Sequence, residues 1–134
     1  MRLVLDTNVI VSALLLHNSP SRKVFDLAFE KGKVLVSLAA LAEAYEVLNR
    51  PKFRKYVSKE ATRLFLVGFV RKAEWVEVTE NIQVGQDPKD NKILELAVNG
   101  HATHIVTGDR DLISLSPFRG IPVVPPAVIL RELE

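Results

Sequence analysis

Short apolar runs rich in β-branched residues alternate with helical stretches along this chain, and that alternation restricts the fold more than any other feature. The runs lie at residues 3–5, 34–36, 105–106 and 121–124, with a weaker one at 75–78. They are continuously apolar rather than alternating with polar residues, as in strands that are buried on both faces of a parallel sheet. We therefore predict a parallel sheet of about five strands.

The stretches between the runs have helical spacing. The predicted helices cover residues 21–30, 38–48, 59–72, 88–99 and 126–133, and Gly100 follows the fourth of them as a terminating residue. Strands that alternate with helices indicate an α/β layer fold with right-handed crossovers. A length of 134 residues favours one domain, here residues 1–134.

The composition excludes several classes of protein. The chain has no cysteine, which rules out disulfides, thiolate zinc sites and a cysteine nucleophile and suits a reducing, cytoplasmic setting. Asp6 and Asn8 interrupt the apolar N-terminus before a signal sequence could form, and no apolar run reaches the roughly 18 residues of a membrane span. A net charge of +2 is a mild indication of a polyanionic partner.

Acidic residues follow or flank the predicted strand ends. Asp6 directly follows the first strand and Asp109 follows the strand HIV, and ligands of α/β sheets bind beyond the carboxyl ends of strands. Asp90 lies in the first turn of one helix, and Glu43 lies in the helix after the second strand. Such a cluster would repel itself unless a hard cation such as Mg²⁺ neutralised it. This pattern favours metal-dependent hydrolysis of a phosphodiester.

Each of these acids also has a purely local explanation. Asp6 could cap the helix that follows it. Asp87, with Pro88 and Asp90 after it, has the form of a helix N-cap followed by a first-turn acid. Asp109 and Asp111 could be turn residues.

Glu43 and Glu46 are the only charged residues in the helix LAALAEAYEVL. A helix that is apolar nearly all round has little solvent-exposed face, so charges there call for a reason. The helical wheel does not choose between the two glutamates. It places four large side chains on one side of the helix, namely Leu38, Leu41, Tyr45 and Leu48. Glu43 lies roughly opposite them.

Four segments taken in order resemble the PIN-domain family: LDTNVIVSALL, SLAALAEAYEVLNRPKF, DPKDNKILELA and HIVTGDRDL. The resemblance extends from Met1 to about Leu130 and is closest to the VapC-like toxins of toxin–antitoxin pairs. It implies a three-layer sandwich in which helices flank a parallel sheet of order 3-2-1-4-5. It also implies Mg²⁺- or Mn²⁺-dependent endoribonuclease activity on RNA, with an antitoxin protein as a possible partner.

The resemblance also implies a set of site residues. The family's acids, which would bind metal and carry catalysis, fall on Asp6, Glu43, Asp90 and Asp109. Glu46 is the less favoured alternative to Glu43, and Asp111 is a second candidate for the last metal ligand. Asn8 and Thr107 match the polar residues that accompany the first and last acids, and we take both as candidate substrate contacts.

A basic cluster in NRPKFRKYV could contact the RNA backbone: Arg50, Lys52, Arg54 and Lys55. Phe53 and Tyr56 are interleaved with it as possible stacking groups. The seven residues from Glu43 to Arg50 span about 10 Å of helix, so we expect the cluster to lie away from the metal of its own chain. An ordinary solvated turn explains the cluster equally well. Weaker candidates are Arg22, Lys23, Arg110 and Arg119.

The segment RLFLVGFVR, residues 63–71, is almost continuously apolar. Packing on one face of a sheet needs a stripe only about 100° wide. The excess predicts cover by a second copy in a homodimer or by an antitoxin, unless other helices of the same chain enclose this one.

Two other classes of function compete with a nuclease. The chain could be a protein-binding module whose acids hold a structural ion or a vestigial site. It could also be a phosphatase or a receiver-like phospho-acceptor on a similar sheet, but those need a partner lysine at a later strand end, and HIVTGD offers none. No glycine-rich phosphate loop is present, which argues against nucleotide binding of that kind.

Overall fold

The computed structural model describes residues 1–84 and 87–134. Within these residues, five parallel strands form one sheet in the order β3-β2-β1-β4-β5. The strands are β1 Arg2–Leu5, β2 Lys33–Val36, β3 Glu74–Trp75, β4 His104–Val106 and β5 Val123–Val124. The α/β class and the strand order expected from the family resemblance are confirmed.

Seven α-helices connect and cover these strands in the described part of the chain. They are α1 Thr7–Leu15, α2 Pro20–Lys31, α3 Leu38–Leu48, α4 Lys59–Lys72, α5 Pro88–Asn99, α6 Arg110–Ile113 and α7 Pro126–Leu133. A short 3-10 turn, Pro51–Phe53, lies between α3 and α4. Caps define several starts; for example, the Ser58 hydroxyl accepts a hydrogen bond from the Ala61 N–H at the start of α4.

Three predictions of secondary structure were wrong in detail. A cap at Asp6 would require helix α1, but hydrophobic spacing did not reveal this helix, because it is apolar on most sides and contacts both α2 and α3, so it shows no polar stripe. The third strand begins one residue earlier than predicted and ends at Trp75. The last strand begins at Val123, since Ile121 instead pairs with Phe118 in an isolated antiparallel bridge.

The core lies on both faces of the sheet because successive strand residues point to opposite sides. In β1, Leu3 and Leu5 face a layer built mainly from α1, α2, α4 and α7. Val4 faces the other layer, where α5 supplies Ile93 and Leu94. The result is the predicted three-layer arrangement of helices, sheet and helices.

Helix α4 is partly enclosed by its own chain. Leu66 and Phe69 are buried, and the Phe65 ring stacks on Phe25 of α2 with centroids 5.0 Å apart. Leu64, by contrast, is 56% exposed. One side of α4 is therefore enclosed by other helices of the same chain, and the other side leaves apolar surface exposed. None of the helices that the structure describes has the length and apolar character needed to cross a membrane.

The sheet brings the ends of β1 and β4 together. Leu5 pairs with Val106 at their carboxyl ends, and the Asp6 N–H donates to the Val106 carbonyl over 2.9 Å. Residues more than 100 positions apart thus meet at one edge. This junction places Asp6 beside the turn that carries Asp109.

Candidate metal centre

The four predicted acids line one small cleft, of about 80 Å³, at the carboxyl edge of the sheet. Each comes from a different element. Asp6, Glu43 and Asp90 are each 8% exposed, whereas Asp109 is half-buried. The full lining is Asp6, Thr7, Asn8, Glu43, Val47, Arg50, Asp87, Lys89, Asp90 and Asp109.

Asp6 is held by hydrogen bonds from its neighbours. It occupies the position before α1, yet its side chain makes no capping bond, so a local cap does not explain this acid. Its Oδ2 atom accepts a hydrogen bond of 2.7 Å from the Thr107 hydroxyl. The same hydroxyl oxygen accepts from the Asp109 N–H over 3.0 Å. Thr107 is completely buried, so it orients two acids and cannot contact substrate as we had expected.

Glu43 and Glu46 have different surroundings. Glu43 Oε2 accepts a hydrogen bond from the Thr7 hydroxyl, and its Oε1 atom is buried with no hydrogen-bond partner among the described residues. Glu46 is exposed and forms an ion pair of 3.1 Å with Arg50, four residues later. Of the two glutamates, the structure places Glu43 in the cleft.

The helical wheel of α3 was misleading about its buried side. The buried residues are Glu43, Ala44 and Leu48, whereas Leu38 and Tyr45 are 74% and 62% exposed. Helix α3 packs against α1 on one side and α5 on another, so its buried stripe does not follow its most apolar side. That packing turns Glu43 toward the other acids.

Asp87 and Asp90 have separate roles at the start of α5. The Asp87 side chain accepts a hydrogen bond of 3.0 Å from the Lys89 N–H and so caps the helix, as its sequence pattern predicts. Burial, together with the negative charges of nearby acids, chiefly Asp109 and then Asp87, raises the pKa of Asp90 to about 6. Capping accounts for Asp87 but leaves the burial of Asp90 unexplained.

The pKa of Asp6 is raised for similar reasons. Burial raises its pKa, hydrogen bonds from Thr107 and from the Thr7 N–H oppose this rise, and the charges of Glu43 and Asp109 add to it. In the parts of the chain that the structure describes, no three acidic or histidine side chains already form a ready-made ligand set for one ion.

The donor set fits a hard divalent cation. Every candidate ligand is a carboxylate, the chemistry that Mg²⁺ and Mn²⁺ prefer. The partnerless Oε1 of Glu43 and the raised pKa values of Asp6 and Asp90 are features that a bound cation would relieve.

Two other predicted site residues lie nearby. Asp111 is exposed and does not line the cleft; its N–H donates to Asp109 Oδ1 over 2.8 Å, so Asp109 also caps α6. The turn explanation therefore holds for this pair, while Asp109 alone reaches the cleft. Asn8 lines the cleft and is exposed, as a residue that contacts substrate should be.

The basic cluster divides into three environments. Arg50 lines the cleft, so the expectation that it lies away from the metal was wrong: its long side chain lies back along α3 beside Glu46. Arg54 is part-buried, and its guanidinium donates hydrogen bonds to the Leu48 and Val57 carbonyls. Lys52 and Lys55 are exposed, each beside the aromatic ring that follows it in sequence, at 5.1 and 5.2 Å from the ring centroids.

The weaker basic candidates lie outside the cleft lining. Arg22 pairs with Asp26, and Arg119 pairs with Glu80. Lys23 and Arg110 are exposed. Sequence reasoning missed Thr7 and Lys89, although each directly precedes or follows a residue of an acidic motif, and that adjacency could have identified them.

The state of Asp90 gives a testable pH dependence. Its folded pKa of about 6 exceeds the model-peptide value, so the folded state binds more protons than the unfolded chain between about pH 4 and pH 6. This acid therefore makes stability fall as pH rises through that window. In EDTA, the free energy of unfolding of Asp90→Asn relative to the wild type should rise by about 2 kcal/mol from pH 4 to pH 7, as measured by urea unfolding. A stability difference that is equal at both pH values would contradict this account.

Comparison with known proteins agrees with the geometry. A family model described as PIN domain matches residues 2–111. The chain belongs to the PIN-domain family. PIN domains are generally nucleases, which makes nucleic-acid hydrolysis the activity class of this protein at the family level.

Relatives of this PIN-domain protein extend over most of its length. An uncharacterised protein of Methanocaldococcus jannaschii, MJ1680, is 38% identical over 117 residues, which are 86% of this chain and 75% of that protein. VapBC2 from Rickettsia felis, crystallised with a DNA fragment from their promoter, matches with a TM-score of 0.64 and 19% identity over 93% of this chain and 98% of that one. PAE2754 from Pyrobaculum aerophilum matches with a TM-score of 0.67 and 18% identity, over 99% of this chain and 89% of that one. At these identities the two structures establish a shared fold.

Proposed function

We propose that this PIN-domain protein is a metal-dependent endoribonuclease that hydrolyses RNA in the cytoplasm. One observation carries the proposal: four carboxylates from four separate elements line one cleft, and three of them are buried. Asp6, Asp90 and Asp109 would hold Mg²⁺ or Mn²⁺, and Glu43 would help to hold it or a second ion. Burial of so much negative charge is costly and is unusual in a cleft that has only a structural role.

A divalent cation held by these acids would supply Lewis-acid chemistry, activating water and neutralising charge on the phosphate. The chain's own residues would fix its ligands in place. Thr107 holds Asp6 and the Asp109 backbone at the ends of β1 and β4, and the Asp6 N–H ties the two strands together. Such hydrogen bonds limit the ways in which the ligands can turn.

Basic residues at the rim of the cleft would draw the RNA backbone toward the acids. Arg50 and Lys89 line the cleft itself and are exposed, and Asn8 offers an amide beside them. Lys52 and Lys55, with Tyr56 as an exposed ring, could extend the contact along a single strand. We therefore assign the first phosphate contacts to Arg50 and Lys89.

The function is tested by metal-dependent cleavage of a mixed RNA pool. We expect cleavage with millimolar Mg²⁺ or Mn²⁺ and none in EDTA. The same ions should raise the melting temperature, since a ligand that binds only the folded state adds about 2.7 kcal/mol at a hundred times its Kd. Binding without cleavage would favour the protein-binding module with a structural ion. If the protein neither binds these ions nor cleaves RNA, the assignment of a metal centre is wrong.

We further propose that the protein works with a partner, as the toxin of a toxin–antitoxin pair. An apolar groove of about 400 Å³ lies between α3 and α4 and is lined by Leu41, Tyr45, Arg63, Leu66, Val67, Val70 and Arg71. A second copy of the chain or an antitoxin segment would cover it. Light scattering at micromolar concentration should give twice the 15.0 kDa chain mass for a homodimer. A monomer would leave the groove to an antitoxin.

A further inference from the structure

Thr7 lies between two acids of the cleft, Asp6 directly before α1 and Glu43 in α3. It is the first residue of α1 and only 6% exposed. Its hydroxyl donates to Glu43 Oε2, and its backbone N–H lies beside the Asp6 carboxylate and lowers the pKa of that acid. The first N–H groups of a helix have no partner within the helix, which leaves this one free for Asp6. One residue thus contacts both carboxylates at once.

The two oxygens of Glu43 are not equivalent. Oε2 is held by Thr7, whereas Oε1 is buried and has no hydrogen-bond partner among the described residues, although its side chain lines the cleft. A buried carboxylate oxygen that lacks a partner costs free energy unless a cation or a donor reaches it. A hydroxyl has a single proton to donate, so it can hold one oxygen and leave the other free.

We propose that Thr7 is a positioning residue: its hydroxyl holds Glu43 by Oε2 so that Oε1 is presented to the divalent cation. The inference rests on the proposed function, because it needs a cation in the cleft. Glu43 reaches the cleft on a flexible side chain, and several staggered conformations are open to it. The hydrogen bond from Thr7 selects one of them before the ion arrives.

The hydroxyl can be removed without changing the shape of the residue. Thr7→Val keeps the branched side chain and the backbone N–H to Asp6 but removes the donor to Glu43. Thr7→Ser keeps the donor and removes only a methyl group. We expect Thr7→Val to weaken Mn²⁺ binding by roughly ten- to a hundred-fold, the usual loss when an outer hydrogen bond to a metal ligand is removed. Thr7→Ser should bind Mn²⁺ within about threefold of the wild type, since it keeps the outer hydrogen bond.

The measurement is Mn²⁺ affinity, by calorimetry and by the Mn²⁺ concentration that half-saturates the thermal shift. Thr62→Val is the matched control, because Thr62 is also buried but lies on α4, outside the cleft lining. It should lower the melting temperature without changing Mn²⁺ affinity. Combining Thr7→Val with Glu43→Gln should weaken binding no further than Glu43→Gln alone. If Thr7→Val does not fold, as judged by circular dichroism, Thr7→Ala tests the same loss.

The outcomes separate this inference from the proposed function. If the wild type binds Mn²⁺ and Thr7→Val binds it equally well, Thr7 is only a structural residue and the inference is wrong. Weakening by both Thr7→Val and Thr7→Ser would also contradict it, since the hydroxyl would not be the cause. If the wild type does not bind Mn²⁺ or Mg²⁺ at all, the metal centre fails and this inference fails with it.

Discussion

Asp6→Asn should lower the rate of RNA cleavage by roughly a thousand-fold or more while the protein stays folded. Loss of a metal ligand removes several kcal/mol of transition-state stabilisation, and each 1.36 kcal/mol is a factor of ten in rate. Asp6 lies at the junction of β1 and β4, where the charges of Glu43 and Asp109 act on it. Asp90→Asn and Asp109→Asn should have similar effects.

The same substitution should not destabilise the metal-free fold. Burial and the charges of Glu43 and Asp109 raise the pKa of Asp6, so its charge opposes folding near neutral pH. An amide in its place can still accept the hydrogen bond from Thr107. Urea unfolding in EDTA should therefore show equal or greater stability for Asp6→Asn, and the Mn²⁺-induced thermal shift should be lost.

Helix α3 offers a matched pair of substitutions, one inside the cleft and one outside it, as a control for the cleavage experiment. Glu43 is buried in the cleft, whereas Glu46, three residues later, is exposed and paired with Arg50. Glu43→Gln should cost far more activity than Glu46→Gln. Greater damage from Glu46→Gln would show that the assignment is wrong by about one helical turn, and full activity in all of these variants would support the binding-module function.

Arg54→Ala should unfold the protein more readily, by about 3 kcal/mol in urea unfolding, because its guanidinium joins α3 to α4. Nη2 donates to the Leu48 carbonyl over 2.6 Å, and Nη1 donates to the Val57 carbonyl and the Thr62 hydroxyl over 3.1 and 3.2 Å. Truncation leaves these acceptors without partners in a part-buried place. Lys52→Ala, an exposed neighbour, should change stability by less than about 0.5 kcal/mol and serves as the control.

RNA binding should depend on the two basic residues that line the cleft, Arg50 and Lys89, and not on Arg54. If Arg50 and Lys89 contact phosphates, Arg50→Ala with Lys89→Ala should reduce the salt slope of single-strand binding by about 1.4, or 0.7 for each contact. Arg54→Ala should leave that slope unchanged at temperatures where it is folded. A reduced slope in Arg54→Ala, with its stability unaffected, would restore our first assignment of this arginine to the substrate.

The general fold and the positions of two acids could be predicted from the sequence. Continuous apolar runs separated by amphipathic stretches require buried parallel strands between helices, so residues that directly follow a strand lie at its carboxyl edge. Asp6 and Asp109 were located in this way. The strand order came from the family resemblance, since hydrophobic pattern does not say which strands are neighbours.

Other features were decided only by tertiary contacts. Pattern analysis compares each residue with its neighbours in sequence, and α1 shows no polar stripe because two other helices cover it. The orientation of Glu43 depends on how α3 packs between α1 and α5. The hydrogen bonds of Arg54 depend on the carbonyls of Leu48 and Val57, which the end of α3 and the turn after it bring around the guanidinium.

The partnership of Thr7 with Glu43 makes the distinction plain. The residue types were visible in the sequence, as was the position of each after a strand end or within a helix. Their contact joins residues 36 positions apart, and it exists because the sheet sets β1 beside β2 and the helices that follow these strands lie against each other. Local pattern determined which elements form and where their polar residues lie. Long-range packing decided which of those residues meet, because burial and hydrogen bonding depend on neighbours in space.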